Sequence, residues 1–335
     1  MPPLNDAAPL PSLTETLANL PVLWVLVIVA MLTVLRLLVL RLPSPAARSV
    51  AELAETGLTA IALVFLILRP FFMQAFYIPS ASMEPTLTGN GSAKDRILVN
   101  KFQYRLHAPQ RNDVVVFLAP PAAMAGDPPF VKRLIGLPGD KIEAVSGFVL
   151  AGGRRYSHAD LRTALAAANE FGPQAAAEGY ADQADHHIKF VANGVLADNR
   201  LVGTTRLAEI LTGMSHAPVS VHPGYNIRDG VRLAEPFIAE DPDYDMKIYH
   251  GEPVKHEYDP GQATYKWNGQ QISPAEFQQE FAPPTEPLPA GHYLMMGDNR
   301  NDSNDGTNWG PLEERRVVGP VRVVFWPPSD MGLVH

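Results

Sequence analysis

The sequence predicts a mainly β domain with barrel-like, coiled β-sheets, which two N-terminal transmembrane helices anchor and an inserted α+β subdomain interrupts. Three observations lead to this fold class. Apolar runs are concentrated in the first 76 of the 335 residues, short β-branched runs follow between Gly and Pro residues, and an alanine-rich polar region separates two groups of those runs. A chain of this length can bury the core of one large domain or of two ordinary ones.

Two apolar segments near the N-terminus predict the transmembrane helices. Residues 20–35 contain no charge, and the run reaches residue 40 if Arg36 is tolerated, while residues 57–76 are mostly apolar apart from Arg69 and Pro70. A span needs about 20 mostly apolar residues, so we predict helices over residues 20–40 and 56–76. A buried core helix is the alternative for the second. No Lys or Arg precedes the first, which argues against a cleavable signal peptide.

Basic residues predict the orientation of this anchor. Arg36, Arg41 and Arg48 cluster around the connection between the two segments, and residues 1–19 contain neither Lys nor Arg. Because cytoplasmic loops are enriched in Lys and Arg, the connecting residues 41–55 are expected in the cytoplasm. The N-terminal tail, residues 1–19, and everything from residue 77 onward are then expected to be extracytoplasmic.

Five short runs predict the strands of the β domain, which we place at residues 77–143 and 287–335. The runs lie at residues 96–99, 113–117, 130–135, 293–296 and 317–325, and turn-forming residues bound them. Residues 144–286 differ, because they contain seven of the ten histidines and an alanine-rich stretch with helical spacing at residues 161–170. Recurrent aromatic residues in this region predict a folded, inserted subdomain rather than a linker.

Composition argues against several classes of function. The formal net charge is −8 without a long basic run, so no nucleic-acid partner is expected. The absence of cysteine rules out thiol catalysis, disulfides and thiolate metal sites. Calcium binding by the Gly-, Asn- and Asp-rich residues 297–310 has weak support, because the acidic residue that closes an EF-hand loop is missing. The pair His186-His187 lacks helical metal-ligand spacing, so no metal site is expected.

Two serines follow the second apolar segment, in the sequence YIPSASMEPTL at residues 77–87. Small residues suit both a turn and a serine nucleophile, so this stretch alone does not decide between them. A serine nucleophile needs a base, and a lysine can serve if burial lowers its pKa from about 10.4 towards neutrality.

One lysine has a sequence context that fits this demand. Lys132 shares a strand face with Phe130 and Leu134, where its amine is either desolvated or directed out to solvent. Arg133 lies on the opposite face of the same predicted strand. It is therefore a candidate for a structural ion pair.

Four motifs, in order, resemble those of bacterial type I signal peptidases, the membrane-anchored Ser-Lys proteases that remove signal peptides. They are IPSASMEPTL at residues 78–87, DVVVF at 113–117, VKRLIGLPGDK at 131–141, and GDNR at 297–300 running on to Trp309-Gly310. Each motif alone is weak evidence, but their order, approximate spacing and two-helix anchor agree with the family. The resemblance covers roughly residues 55–140 and 287–327. Residues 232–244 (RLAEPFIAEDPDY) are also similar to a stretch in some members.

The resemblance implies roles for the reacting groups. Ser82 matches the family's nucleophile and Lys132 its general base. The Ser80 hydroxyl matches a group that joins the Ser82 backbone N–H in an oxyanion hole. Ser303 matches a serine that hydrogen-bonds to the lysine and orients it. No metal or organic cofactor is implied.

Further positions match supporting groups of the family. Those that fix the geometry around the orienting serine correspond to Asp298, Arg300 and Asp305, and those that line shallow apolar pockets for small side chains correspond to Ile78 and Val131. Many members carry a basic residue two positions after the matching aspartate, where this chain has Thr307. We therefore expect Arg300 to be the partner of Asp305.

The function implied by the resemblance is removal of N-terminal signal peptides from secreted preproteins, after small residues in an A-x-A pattern. The enzyme is expected to be a multi-pass protein of the bacterial inner membrane with an extracytoplasmic catalytic domain. Its expected partners are these preproteins, the lipid bilayer and the secretion translocon. Two alternatives stay open: a Ser-Lys processing peptidase of the same fold with one dedicated client, and a non-catalytic membrane-anchored relative that binds peptides. A self-cleaving repressor is disfavoured, because the chain has membrane segments and lacks a DNA-binding helical domain.

Overall fold

The computed structural model describes residues 22–39, 45–64, 73–89, 94–171, 188–259, 262–267, 269–281 and 284–334. The chain divides into two compact units, one made of Met1–Ala75 with Asn100–Phe102, the other of Phe76–Val99 with Gln103–His335. The helices are α1 Val22–Val39, α2 Pro45–Ala62, α3 Gln103–Leu106, α4 His158–Ala167, α5 Thr204–Thr212, α6 Pro274–Phe281 and α7 Gly306–Trp309.

The strands that the structure describes make the molecule mainly β. In chain order they are β1 Met73–Tyr77, β2 Arg96–Asn100, β3 Val114–Leu118, β4 Pro129–Gly136, β5 Ile142–Val145, β6 Phe148–Ala151, β7 Arg154–Tyr156, β8 Ile188–Val191, β9 Gly194–Ala197, β10 Arg200–Gly203, β11 Val219–His222, β12 Tyr225–Arg228, β13 Val231–Arg232, β14 Tyr244–Tyr249, β15 Glu252–Asp259, β16 Gln262–Trp267, β17 Gln270–Gln271, β18 His292–Met296, β19 Leu312–Glu313, β20 Val317–Trp326 and β21 Gly332–Leu333. All five runs predicted as strands are strands.

The smaller unit contains α1 and α2, which an ion pair joins at 2.5 Å between Arg36 Nη2 and Glu55 Oε2. Among the described residues, no helix combines the length and apolar character needed to cross a bilayer. Residues 1–21, 40–44 and 65–72, which hold the predicted tail and parts of both predicted spans, lie outside the described residues.

The helix bounds predicted in this region need correction. Helix α2 begins at Pro45, inside the stretch predicted as a loop, and residues 73–76 of the second predicted span belong to strand β1. Proline suits the first turn of a helix, because its missing N–H has no helical partner there in any case. Exposure alternates along β1, as it does in a strand with one face covered.

The first sheet of the larger unit pairs β2, β20, β3, β4, β18 and β19 in that order, with β21 beside β20. Every registered pair is antiparallel. Strand β3 is buried on both faces: Val114 and Val116 contribute to one apolar cluster, whereas Val115 and Phe117 contribute to another. This two-sided burial explains why the strand is a continuous apolar run in the sequence.

The second sheet has the order β13-β12-β5-β14-β15-β16-β17. Tyr244, Met246 and Ile248 of β14 share an apolar cluster with Ile135 of β4 and Leu294 of β18. Strand β14 lies in the stretch that the sequence suggested as insertion, yet it packs against the first sheet. Its alternating apolar residues on one face are what such packing requires.

The middle of the chain forms a small α+β subdomain with its own core. Two three-stranded sheets, β10-β9-β8 and β11-β6-β7, surround α4 and α5. Buried residues from these elements form one cluster that includes Val149, Leu161, Ile188, Val202 and Leu207. Helix α4 starts three residues before the predicted alanine-rich stretch, because Ser157 and Asp160 form a capping box at its N-terminus. We keep the name inserted subdomain for this part, residues 146–222, which is smaller than the predicted 144–286.

Candidate active site

Ser82 lies in a single 3-10 turn, Ala81–Met83, a few residues after β1. Met83 and Leu87 are fully buried in the apolar cluster of the first sheet and fix the chain on the C-terminal side of Ser82. The serine itself is 8% exposed. Ser80 precedes the turn in extended conformation, and its Oγ lies 3.3 Å from Ser82 Oγ. The stretch therefore forms a turn and also places the hydroxyl groups of Ser80 and Ser82 next to each other.

Lys132 approaches Ser82 from the centre of β4. Its Nζ is in hydrogen-bond contact with Ser82 Oγ, and only 4% of the residue is exposed. The sequence left open whether this lysine is desolvated or directed to solvent, and the structure buries it. Burial lowers the pKa of Lys132 to about 8, against the opposing pull of the nearby carboxylates of Asp305, Asp302 and Asp298.

The loop at residues 297–305 packs against the main chain of the serine. The Asn299 N–H donates to the Ser82 carbonyl oxygen at 3.2 Å. A Cβ on Gly297 would lie 2.4 Å from the same oxygen and 2.3 Å from Ser303 Oγ. Only glycine allows this approach, which explains the glycine that begins the GDNR motif.

Ser303 does not make the hydrogen bond to the lysine that the resemblance led us to expect. Its Oγ is buried and has no hydrogen-bond partner among the described residues. The hydroxyl instead faces the Cα of Gly297, whose missing side chain leaves room for it. Among the described residues, Ser82 is the only side chain that is hydrogen-bonded to Lys132 Nζ.

Arg133 points to the opposite side of β4 and forms the structural ion pair predicted from the alternation. Its guanidinium meets Asp298 in a two-pronged arrangement, with Nε to Oδ1 at 2.8 Å and Nη2 to Oδ2 at 2.7 Å. The two side chains are 1% and 0% exposed. Thr86, just after the serine turn, donates to the same carboxylate at 2.5 Å. Asp298 therefore joins the strand, the serine turn and the loop.

The expectation that Arg300 pairs with Asp305 is wrong. Asp305 accepts instead from the Gly297 N–H at 2.8 Å and from the N–H and Oγ1 of Thr307 at 2.9 and 2.8 Å. It caps the short helix α7 and is fully buried. The physical reason is that three short hydrogen bonds satisfy the carboxylate, so that the threonine compensates for the missing basic residue.

Arg300 pairs with Glu235, a residue that the sequence analysis did not single out. Nη2 lies 2.6 Å from Oε1 and Nη1 lies 3.1 Å from Oε2, while Nε donates to the Gly297 carbonyl at 3.0 Å. Burial raises the pKa of the Glu235 carboxyl, but the Arg300 charge outweighs that effect and the net shift is downward. The signal available in the sequence was its place in the RLAEPFIAEDPDY stretch, together with the need of a buried arginine for a carboxylate.

The two residues expected to line substrate pockets lie in one apolar cluster. Ile78 is 2% exposed, and the half-buried Val131 packs against the same cluster. Within the described residues, no group of three or more His, Asp or Glu side chains has the arrangement of a metal site. His186 and His187 lie outside the described residues.

Chemically, this arrangement couples a hydroxyl to an amine whose pKa is close to neutral. Such an amine accepts a proton from the hydroxyl without a metal or an imidazole. A second hydroxyl stands beside the first, where it can donate to a developing oxyanion.

Comparisons with known proteins agree on one family. The profile described as "Signal peptidase, peptidase S26" matches residues 50–204 and 227–326. The chain is 40% identical over 293 residues to "Probable signal peptidase I-2" of Synechocystis sp., across 87% of this chain and 80% of that one. It is 26% identical over 306 residues to "Signal peptidase I" of Pseudomonas aeruginosa, across 84% and 75%. It is 27% identical over 306 residues to "Signal peptidase I" of Mycobacterium tuberculosis, across 88% and 78%.

Proposed function

The chain belongs to the signal peptidase family, peptidase S26, and from this membership we propose that it removes signal peptides from secreted preproteins as a Ser-Lys endopeptidase. The observation that carries the proposal is the contact between Ser82 Oγ and Lys132 Nζ, both of which are buried. A relative that only binds peptides would have no need to bury a lysine beside a serine, because burying an amine costs free energy.

Acylation begins with proton transfer. Neutral Lys132 Nζ takes the proton of Ser82 Oγ while that oxygen attacks the carbonyl carbon of the scissile peptide bond. The resulting tetrahedral intermediate collapses when the C–N bond breaks and the ammonium of Lys132 returns a proton to the leaving amine. The signal peptide is then esterified to Ser82, and the mature protein leaves with a free N-terminus.

Two donors stabilise the oxyanion of this intermediate. We assign them as the Ser82 backbone N–H and the Ser80 hydroxyl. The 3.3 Å separation of the two serine Oγ atoms supports the role of Ser80, because a hydroxyl so close to the attacking atom can reach the carbonyl oxygen beside it. Donors that are already in place when charge develops need no reorganisation during the reaction.

Deacylation reuses the lysine. Neutral Lys132 takes a proton from a water molecule, which attacks the ester carbonyl, and the bond between the carbonyl carbon and Ser82 Oγ breaks. Ser82 regains its proton from the lysine, and the signal peptide leaves with a free carboxylate. The same two donors stabilise the second tetrahedral intermediate.

Several residues around the dyad hold the loop beside it in position. We propose that Asp298, Arg300 and Asp305 hold the loop at residues 297–305, from the ion pairs and hydrogen bonds described above. We further propose that Ile78 and Val131 line shallow pockets for the small side chains that precede the cleaved bond. Their place in the cluster beneath the serine turn supports this, because little space remains there for larger residues.

We also propose that the apolar segments at residues 20–40 and 56–72 anchor the enzyme in the inner membrane, with the catalytic unit outside the cytoplasm. The distribution of Arg36, Arg41 and Arg48 supports this orientation. Such an anchor would keep Ser82 near the surface of the bilayer, where the cleavage site of a signal peptide emerges. The lipid bilayer and the translocon are the expected partners in that setting.

The direct test is substitution of the two reacting groups. Ser82→Ala and Lys132→Ala should each abolish cleavage of a preprotein with an A-x-A site, measured by gel shift on purified full-length chain in detergent. The exposed residues Ser220 and Lys141 provide matched controls, because Ser220→Ala and Lys141→Ala should retain activity within about twofold. Substantial cleavage by either dyad variant would rule out the mechanism.

A cellular assay separates a general enzyme from one with a dedicated client. Depletion of the protein should leave many different preproteins uncleaved. Accumulation of a single uncleaved preprotein would instead favour a specialised peptidase of the same fold.

A further inference from the structure

Residues 235–243 run between the loop at residues 297–305 and the inserted subdomain, and we call them the bridging segment. They lie in one compact unit with both of these neighbours. Phe237 of the segment stacks on the Arg133 guanidinium, with 3.9 Å from Cζ to the ring centroid. The segment thus also covers the ion pair beneath the serine turn.

On one side, the bridging segment is bonded to residues 298–301 at four points. Glu235 pairs with Arg300, and the Ala239 N–H donates to the Asp298 carbonyl at 3.1 Å. Asn301 makes the other two bonds: its Nδ2 donates to the Asp241 carbonyl, and its Oδ1 accepts from the Asp243 N–H, both at 3.0 Å. These contacts at four points over nine residues specify the position of this part of the loop.

On the other side, the segment covers the open edge of β8 in the inserted subdomain. Glu240 accepts from the Ile188 N–H at 3.2 Å, and Asp241 accepts from the Phe190 N–H at 2.8 Å. Lys189 Nζ donates to the Ile238 carbonyl at 3.2 Å. The two carboxylates therefore accept hydrogen bonds that a neighbouring strand would otherwise accept from this edge, and Lys189 adds one bond from β8 to the segment.

The loop that the segment holds is the one that contacts the main chain of Ser82. Arg300 connects Glu235 to the Gly297 carbonyl, and Gly297 packs directly on the Ser82 carbonyl. Asn299 lies between the residues that the segment fixes, and its N–H bonds to the Ser82 carbonyl. A displacement of the segment would therefore be transmitted to the serine through two contacts.

We infer that the bridging segment positions the catalytic serine by holding residues 297–301 against it, with the inserted subdomain as its support. The inference rests on the proposed function for the role of Ser82. It gives the inserted subdomain a role in the reaction, although the described residues of the subdomain make no hydrogen bond to Ser82 or Lys132. Glu235 and Asp241 are positioning residues in this scheme, because each acts through other groups.

The contact between the bridging segment and the inserted subdomain can be weakened at Asp241 without changing any side chain of residues 297–301. Asp241→Ala removes the acceptor of the Phe190 N–H, whereas Asp241→Asn keeps an acceptor oxygen and is the conservative rescue. The matched control is Asp160→Ala, which removes a helix cap in the same subdomain but no contact of the segment. All variants are made in the full-length chain in detergent.

Hydrogen exchange and kinetics are the two measurements. In Asp241→Ala we expect amide exchange at residues 297–301 to accelerate about tenfold and kcat for a preprotein to fall about tenfold, with KM within twofold. Asp241→Asn should restore both, and Asp160→Ala should change neither. Burial raises the pKa of Asp241 to about 6, so a neutral amide suits its surroundings.

Two results would overturn the inference. One is exchange at residues 297–301 that stays unchanged in Asp241→Ala while exchange of the Phe190 amide rises. The other is an equal acceleration along the whole chain, which would mean a purely structural role. Exchange requires no catalysis, so a wild-type chain that cleaves no preprotein would refute the proposed function and leave this test intact.

The loop side is tested by removing both charges of its ion pair. Glu235→Gln with Arg300→Gln leaves no buried charge unpaired, so the double variant should melt close to the wild type. We expect kcat about tenfold lower with KM within twofold, because the link to the Gly297 carbonyl is lost. A wild-type kcat in this variant would assign the pair to stability alone and contradict the inference.

Discussion

At the scale of single residues, the proposed reaction depends on the protonation of one lysine. Burial lowers the pKa of Lys132 from 10.5 to about 8, although three carboxylates nearby favour its charged form. Desolvation is therefore the larger effect, and the amine is half neutral near pH 8. An ordinary solvent-exposed lysine would be almost entirely protonated at that pH.

This pKa predicts the pH dependence of cleavage. The rate should rise about tenfold per pH unit below 8 and level off above it, because only the neutral amine accepts the serine proton. The measurement is kcat/KM for a preprotein from pH 6 to 9, with circular dichroism as a control that the fold persists. A flat profile over this range would exclude Lys132 as the base.

A second residue-scale prediction concerns the buried pair of Arg133 and Asp298. Asp298→Asn should lower the free energy of unfolding by about 3 to 5 kcal/mol, because a buried guanidinium loses its carboxylate partner. Asp127→Asn is the matched control: Asp127 pairs with Arg316 at 56% exposure, so the change should be at most about 1 kcal/mol. The measurement is urea unfolding of both variants, and equal losses of stability would contradict the prediction.

At the scale of elements, strand β4 places two neighbouring charged residues, Lys132 and Arg133, on opposite faces with different partners. Alternation sends Lys132 to the serine and Arg133 to Asp298, on opposite faces. A shift of register by one residue would exchange the two side chains and separate the lysine from Ser82. The buried valines of β3, which pairs with β4 through Lys132 and Val115, oppose such a shift.

Helix α4 of the inserted subdomain carries a buried histidine with a testable consequence. His158 is 1% exposed, lies edge-on to Phe190 and faces Glu240 and Arg162. Burial lowers the pKa of His158 to about 4, from 6.5. The stability that its neutral form provides is therefore fully present above pH 6.5 and is lost as the pH falls towards 4, by about 3 kcal/mol in all.

His158→Phe should remove this part of the acid sensitivity. The measurement is urea unfolding at pH 7 and at pH 4.5, and the variant should lose less stability between the two than the wild type. The raised pKa of Asp241 acts in the opposite sense, but it is present in both proteins and cancels in the comparison. Equal losses would show that the fold does not lower the pKa of His158.

At the scale of the whole molecule, the proposed anchor fixes where the catalytic unit works. A reporter fused after Ser44 should be active in the cytoplasm, and one fused after Gly91 should be active outside it, since the arginines cluster around the connection between the two apolar segments. Alkaline phosphatase and a fluorescent protein at both positions supply reciprocal readouts. The reverse pattern would overturn the orientation, and cytoplasmic activity at both positions would overturn the anchor.

The sequence by itself determined the features that depend on local order. Period-2 alternation identified β4 and separated Lys132 from Arg133, and turn residues bounded the five strands. Four motifs in order identified the family, because the proposed nucleophile, its proposed base and the glycine packed against the serine leave little freedom of residue type. These signals are local, and each can be found within about ten residues.

Tertiary structure alone decided the partners of the charged residues. Arg300 pairs with Glu235, 65 residues earlier, and Asp305 is satisfied by hydrogen bonds instead of a cation. The second sheet joins β14 to the first sheet's core across a stretch that looked like an insertion. A buried charged side chain needs an opposite charge or hydrogen bonds, but its local sequence does not show which residue supplies them. The partner depends on which residues the fold brings close together.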